Sequence, residues 1–161
     1  MAKKVPVQFS LNGSEKAEFL DGGATLLQAL RGKLGDFSAK GGCHQGTCGA
    51  CTVTVDGELR LSCLTLAEAC EGTDVRTAAG LAEGGVLHPL QRAFVDHFAA
   101  QCGFCTPGML MAAKALLDRD PNPDREAVVE AISGNICRCT GYEPIIQAVL
   151  SAARANSPHA A

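Results

Sequence analysis

Gly42-Cys43-His44-Gln45-Gly46-Thr47-Cys48-Gly49-Ala50-Cys51 is the stretch that decides this protein, because neither helix nor strand accommodates it. From Gly41 to Ala50 the apolar residues follow no period, and the glycines and cysteines make it a loop. The segments on either side read as ordered. Downstream, Thr52-Val53-Thr54-Val55, the Asp56-Gly57 pair and Glu58 to Cys63 predict a hairpin with a two-residue turn. Upstream, Val5, Val7, Phe9 and Leu11 alternate with polar residues up to Asn12-Gly13, a second hairpin signal, and Ala17 and Phe19 fall on the return strand. Thr25 with Gln28 forms a capping box, which opens a helix carrying Leu26, Leu27, Leu30 and Leu34. Asp74 to Thr77 adds one more short strand. Hairpins around one helix predict a compact α+β domain over residues 1–78.

The pattern then changes. Gly80, Gly84 and Gly85 mark a linker over 79–87, and residues 88–161 read as all-α. His88-Pro89 opens a helix with Leu90, Phe94 and Phe98. Pro107 starts another through Met109, Leu110, Ala113, Leu116 and Leu117, which Asp120-Pro121-Asn122-Pro123 ends. Asp124 caps a third through Val128, Val129 and Ile132, and a fourth runs from about Tyr142 to Ala155. Short connections predict a four-helix bundle. Cys105-Thr106-Pro107 and Cys139-Thr140-Gly141 lie 34 residues apart, each before a helix, and such a repeat would bring both loops to one end of the bundle.

The chain has 161 residues, 47% hydrophobic and 19% charged, with a formal net charge of −3. That is enough to bury a core, too acidic for a nucleic-acid surface, and without an apolar run near the ~18 residues of a membrane span. Nine cysteines and 18 glycines stand out. A disulfide framework needs an oxidising compartment, and Met1 to Ser10 shows no apolar export core and no twin arginine. The expectation is a cytoplasmic protein whose cysteines serve as metal ligands or redox thiols.

Eight of the nine cysteines fall into two sets. Cys43-x4-Cys48-x2-Cys51, with Cys63 after eleven intervening residues, has the spacing of the plant-type [2Fe–2S] loop. Three thiolates from one loop can wrap a two-iron core only if the backbone comes close, which the glycines at 41, 42, 46 and 49 permit. Cys102-x2-Cys105 with Cys137-x-Cys139 again offers four thiolates from two loops, here before helix N-termini that favour negative charge. On spacing alone, zinc is the alternative at both sets and the more serious one at the second. Cys70 is left over among Leu64, Leu66, Ala67 and Ala69, and reads as a buried thiol.

Three motifs carry a resemblance. They are Gly42 to Val53, Gln101-Cys102-Gly103-Phe104-Cys105-Thr106-Pro107-Gly108-Met109, and Gly134-Asn135-Ile136-Cys137-Arg138-Cys139-Thr140-Gly141-Tyr142. In this order they resemble the iron–sulfur subunit of the xanthine oxidase family of molybdenum hydroxylases, over about residues 5–155. The resemblance implies a plant-type ferredoxin-like (β-grasp) domain followed by a helical [2Fe–2S] domain, and favours iron–sulfur over zinc at the second set. It implies that Cys43, Cys48, Cys51 and Cys63 hold a cluster distal to molybdenum, and that Cys102, Cys105, Cys137 and Cys139 hold a proximal one. Gln101 and Cys139 match positions that approach the pterin of a large molybdopterin-binding subunit. The implied function is a one-electron relay between that molybdenum cofactor and FAD, or another acceptor, in partner subunits.

No dinucleotide fingerprint, P-loop, paired carboxylates or Ser/His/Asp arrangement stands out, so the expected catalytic centre is in a partner. His44 reads as a loop side chain near a cluster, and His88, His97 and His159 as helix-end or tail residues. Two other readings compete. A free-standing ferredoxin would need only the first domain, and a zinc-stabilised interaction module would hold no iron.

Overall fold

The computed structural model describes residues 3–156. Strand β1 (Lys4–Leu11) turns through Asn12 and Gly13 into β2 (Ser14–Asp21), and helix α1 (Leu26–Arg31) follows behind Thr25. The capping box forms as the sequence predicts: Gln28 N–H donates to the Thr25 hydroxyl, and Thr25 N–H to the Gln28 side chain. Beyond the cysteine loop come β3 (Thr52–Val55), β4 (Glu58–Leu61), a 3-10 turn at Ala67–Cys70 and β5 (Asp74–Arg76). The five strands form one mixed sheet in the order β2-β1-β5-β3-β4. β5 lies between the hairpins, parallel to β1 through Ser10↔Asp74 and antiparallel to β3 through Val55↔Val75.

Ala17 and Phe19 lie on the return strand as expected, and the pairing sets Leu20 opposite Val5, so Leu20 faces inward and Phe19 is 64% exposed. Leu34 falls outside α1, which stops at Gly32, and packs against the core from the following loop. Val7, Phe9, Leu11, Leu26, Leu30 and Val75 form that core, each fully or nearly fully buried.

The second half holds α2 (Pro89–Asp96), α3 (Thr106–Arg119), α4 (Arg125–Ile132) and α5 (Glu143–Asn156), after a 3-10 turn at Ala78–Leu81. Helix α2 packs on α5, and α4 touches both α3 and α5. Leu90, Met109, Val128, Ile145 and Val149 are the centre of this second core. Two predicted core residues are not in it. Val129 is 44% exposed, and Phe98 lies beyond the end of α2 with its ring 82% exposed. Phe98 takes left-handed backbone (φ 54°), which stops the helix and turns the chain toward Gln101.

The halves meet along α3, which packs across β3 and β4. A polar knot closes the sheet half where it ends. Buried Thr77, directly after β5, donates its N–H to Asn12 Oδ1 (2.9 Å) and its hydroxyl to Asp36 Oδ2 (2.6 Å), tying the first turn and the loop after α1 to the end of the last strand.

Helix α2 has an unusual cap. His88 Nδ1 accepts the Leu90 N–H at 3.1 Å, and Gln91 accepts the His88 N–H at 3.0 Å. Burial, helped by the Lys114 ammonium, holds the imidazole below its ordinary 6.5, against the opposing pull of Asp118 and Glu83. The unfolded chain therefore takes up this proton at higher pH than the folded one, and stability falls as pH drops below about 6.5. We expect His88→Asn, which keeps a capping side chain without the titration, to flatten the loss of melting temperature between about pH 7 and 5. Parallel melting series of wild type and variant check this.

Candidate metal centres

The first set of cysteines lies where the sheet meets the loop after α1. The loop bends through left-handed backbone at His44 (φ 55°), Gly46 (84°) and Gly49 (68°). At Gly42 the constraint is space, since a Cβ there would sit 2.9 Å from Cys48 Sγ. This folding points the amides of Gln45 and Thr47 at Cys43 Sγ, at 3.5 and 3.3 Å. The Thr47 hydroxyl, the Gln45 amide and the neighbouring Cys48 bring the Cys43 thiol down to about 5, so it is a thiolate at neutral pH. His44 is folded back with its ring against Gly41.

Cys51 and Cys63 flank the β3–β4 hairpin and are both buried. The pairing Thr52↔Leu61 brings them to one end, and the Ser62 N–H and hydroxyl both donate to the Cys51 carbonyl, at 3.2 and 2.7 Å. Burial, then the hydrogen bond and charge shared with Cys51, pushes the Cys63 thiol up to about 11.

The second set is built from the loop before α3 and the loop between α4 and α5, which meet at one end of the helices as the internal repeat suggested. Cys139 Sγ lies 3.5 Å from Cys102 Sγ, and buried Cys105 and Cys137 lie behind them. The Cys137 N–H donates to the Tyr142 hydroxyl at 3.0 Å, and the Thr140 hydroxyl lies 3.1 Å from Cys137 Sγ. The Phe104 amide and Cys139 hold Cys102 below the usual thiol value, while bonding to Cys102 raises Cys139. Burial and the Cys137 contact push Cys105 up to about 12. At Cys137 burial pushes upward, but the Thr140 hydroxyl, the Thr140 and Cys139 amides and Cys105 outweigh it and the thiol lies low.

Among the described residues no three or more His, Cys, Asp or Glu side chains converge on a single point. Cys102 and Cys139 come within 3.5 Å of each other, and within each set the thiols are near enough to shift one another's proton affinity. Four thiols at each of two sites, from Cys43, Cys48, Cys51 and Cys63 and from Cys102, Cys105, Cys137 and Cys139, are a donor set that fits a two-iron cluster. The Thr106 hydroxyl, next to Cys105, is buried and without a hydrogen-bond partner, as a donor waiting for an acceptor would be.

Residues 9–82 match the family described as a 2Fe-2S iron-sulfur cluster binding domain, and residues 77–150 match a [2Fe-2S] binding domain. The small subunit of nicotine 6-hydroxylase from Paenarthrobacter nicotinovorans is 47% identical, over 92% of this chain and 90% of that one. The chain belongs to the iron–sulfur subunits of the xanthine oxidase family of molybdenum hydroxylases. The crystal structure of quinoline 2-oxidoreductase from Pseudomonas putida 86 superposes with a TM-score of 0.93 at 43% identity, covering 96% of both chains. The aldehyde oxidoreductase of Megalodesulfovibrio gigas is 44% identical over 89% of this chain, which spans 16% of that longer protein. A family member of this kind carries two [2Fe–2S] clusters, a plant-type ferredoxin-like domain and a helical domain.

Gln101, Cys102 and Cys139 are exposed, whereas Cys105 and Cys137 are buried. Cys70 belongs to neither set. It is fully buried in the sheet-domain core, with Sγ 3.7 Å from the Leu66 carbonyl. His88 and His97 sit at the two ends of α2, and His159 lies outside the described residues. Tyr142, Thr140 and Asn135 were not singled out from the sequence for what they do here. Their neighbours in the third motif were the available signal, but spacing does not say where a side chain reaches.

We expect Cys70→Ser to keep the full iron and sulfide content of wild type and to lose about 1 kcal/mol of stability, as a hydroxyl replacing a buried thiol does. Metal analysis and urea titration check both halves of this expectation.

Proposed function

We propose that Cys43, Cys48, Cys51 and Cys63 hold one cluster, and that Cys102, Cys105, Cys137 and Cys139 hold the other. The observation that carries this reading is the gathering of eight cysteines at two sites, where the Gln45 and Thr47 amides point at Cys43 Sγ and Cys139 Sγ lies 3.5 Å from Cys102 Sγ. When bound, each cluster supplies a one-electron redox centre, so one chain provides a two-step relay for electrons.

The residues around each site have their own work. The Gln45 and Thr47 amides supply positive peptide dipoles to Cys43 Sγ, which lowers the cost of gathering negative charge there. Buried Cys51, Cys63, Cys105 and Cys137 keep water from one side of each site. On the open side of the helical site, Gln101, Cys102 and Cys139 reach solvent, which supports the proposal that Gln101 and Cys139 meet the pterin of a large molybdopterin-binding subunit. The exposed face of the first loop, with His44, Gln45 and Thr47, then faces an FAD-binding subunit or another acceptor.

Three further elements belong to the same reading. The domains divide at residues 1–78, 79–87 and 88–161, supported by the change from sheet to helix across a segment with Gly84 and Gly85. The four helices act as one bundle around the second core. The protein works in the cytoplasm, a reading supported by eight of its nine cysteines serving as metal ligands and not as a disulfide framework. Among the described residues, no helix is long and apolar enough to cross a membrane.

We expect about four irons per chain and two distinct S = 1/2 signals in the dithionite-reduced protein, as two [2Fe–2S] centres require. Cys139→Ala should halve the iron and remove one signal while the other keeps its line shape. Two intact signals in that variant, or zinc without a signal in wild type, would sink the assignment.

A further inference from the structure

The two cysteine loops are tied to each other by a strap that none of the ligand motifs explains. Asn135, two residues before Cys137, is 5% exposed, and its Nδ2 donates to the Gly49 carbonyl at 2.9 Å. The next residue, Ile136, donates its N–H to the Cys48 carbonyl, also at 2.9 Å. Two consecutive residues of the helical half thus grip two consecutive residues of the sheet half, and each grip adjoins a cysteine.

The packing leaves no slack around this contact. Gly49 has φ 68°, and a Cβ on it would lie 2.5 Å from both Asn135 Nδ2 and the Gly134 carbonyl. Gly108, in the first turn of α3, is equally confined, because a Cβ there would collide with the Gly49 carbonyl and come within 2.8 Å of Asn135 Nδ2. Two glycines and one buried amide therefore bring the backbones of the two halves into direct contact between the cysteine sets. The Gly49 carbonyl has other donors, the Thr52 N–H at 3.1 Å and the Thr52 hydroxyl at 2.6 Å. It does not need Asn135 to be satisfied, which marks the Asn135 bond as a tether between loops.

We propose that Asn135 is a positioning residue that fixes the separation and orientation of the two redox sites, with Gly49 and Gly108 as the surfaces it closes against. The inference rests on the two-cluster reading above. Neither ligand set contains Asn135, so its removal leaves every thiol in place. What changes is the registry of the Cys48 loop against the Cys137 loop, and with it the magnetic interaction between two reduced centres. That interaction falls with the inverse cube of their separation and depends on their relative orientation.

The test uses the full chain loaded with iron and sulfide, in wild type, Asn135→Ala and Gly108→Ala. Low-temperature EPR of the fully reduced protein is recorded next to the iron count. If wild type fails to show two signals, the two-cluster reading fails and the variants are not needed to say so. With two signals in wild type, we expect mutual splitting that collapses or changes in both variants, while iron content and the g values of each partially reduced centre stay as in wild type. Unchanged splitting in both variants overturns the inference. Loss of either centre in Asn135→Ala also overturns it, because the residue would then support one loop alone instead of setting the distance between two.

Discussion

Sulfur atoms that share a site compete for protons and repel once they have lost them, and every unusual feature of this chain follows from keeping two sets of them together. Neighbouring thiols are accordingly pushed in opposite directions, Cys102 below and Cys139 above the ordinary thiol value, and Cys137 below and Cys105 above it. Peptide N–H groups are the cheapest compensation, since they carry partial positive charge and add no titrating group. They reach the sulfur only where the chain doubles back on itself, which is why the first loop needs left-handed backbone at His44, Gly46 and Gly49. Loop, glycines and flanking hairpin are consequences of that one requirement.

The helical half answers the same requirement differently. Its cysteines lie at helix ends, where uncapped N–H groups already point outward, and the donors to Cys137 come from Thr140 and the amide of Cys139. Tyr142 holds the loop from behind through the Cys137 N–H. A sheet domain and a helix domain thus reach one electrostatic solution from two kinds of backbone, and α3 joins them by lying against β3.

Much of this was legible in the sequence, for reasons that are local. Asn12-Gly13 and Asp56-Gly57 specify their hairpins, Thr25 with Gln28 specifies a helix start, and cysteine spacing specifies the ligand sets. What could not be read is long-range. The sheet order, with β5 inserted between two hairpins, depends on which edges meet after collapse. The inward face of β2 depended on register, and a slip of one residue separates Phe19 from Leu20. Phe98 sits at helical spacing from Phe94, but its positive φ removes it from the helix. The grip of Asn135 on Gly49 spans 86 positions, and no local pattern encodes it.

The parallel pairing of β1 with β5 has a kinetic side. Ser10 meets Asp74, so the chain between them is drawn into a closed ring, and that ring contains α1, the glycine-rich loop, the β3–β4 hairpin and all four cysteines of the first set. Closing so long a ring costs chain entropy before any contact repays it, which makes it a slow and late step in folding. Iron that bridged Cys43 or Cys48 to Cys63 would shorten the ring from inside, so that assembly of the sheet and capture of the metal become one event.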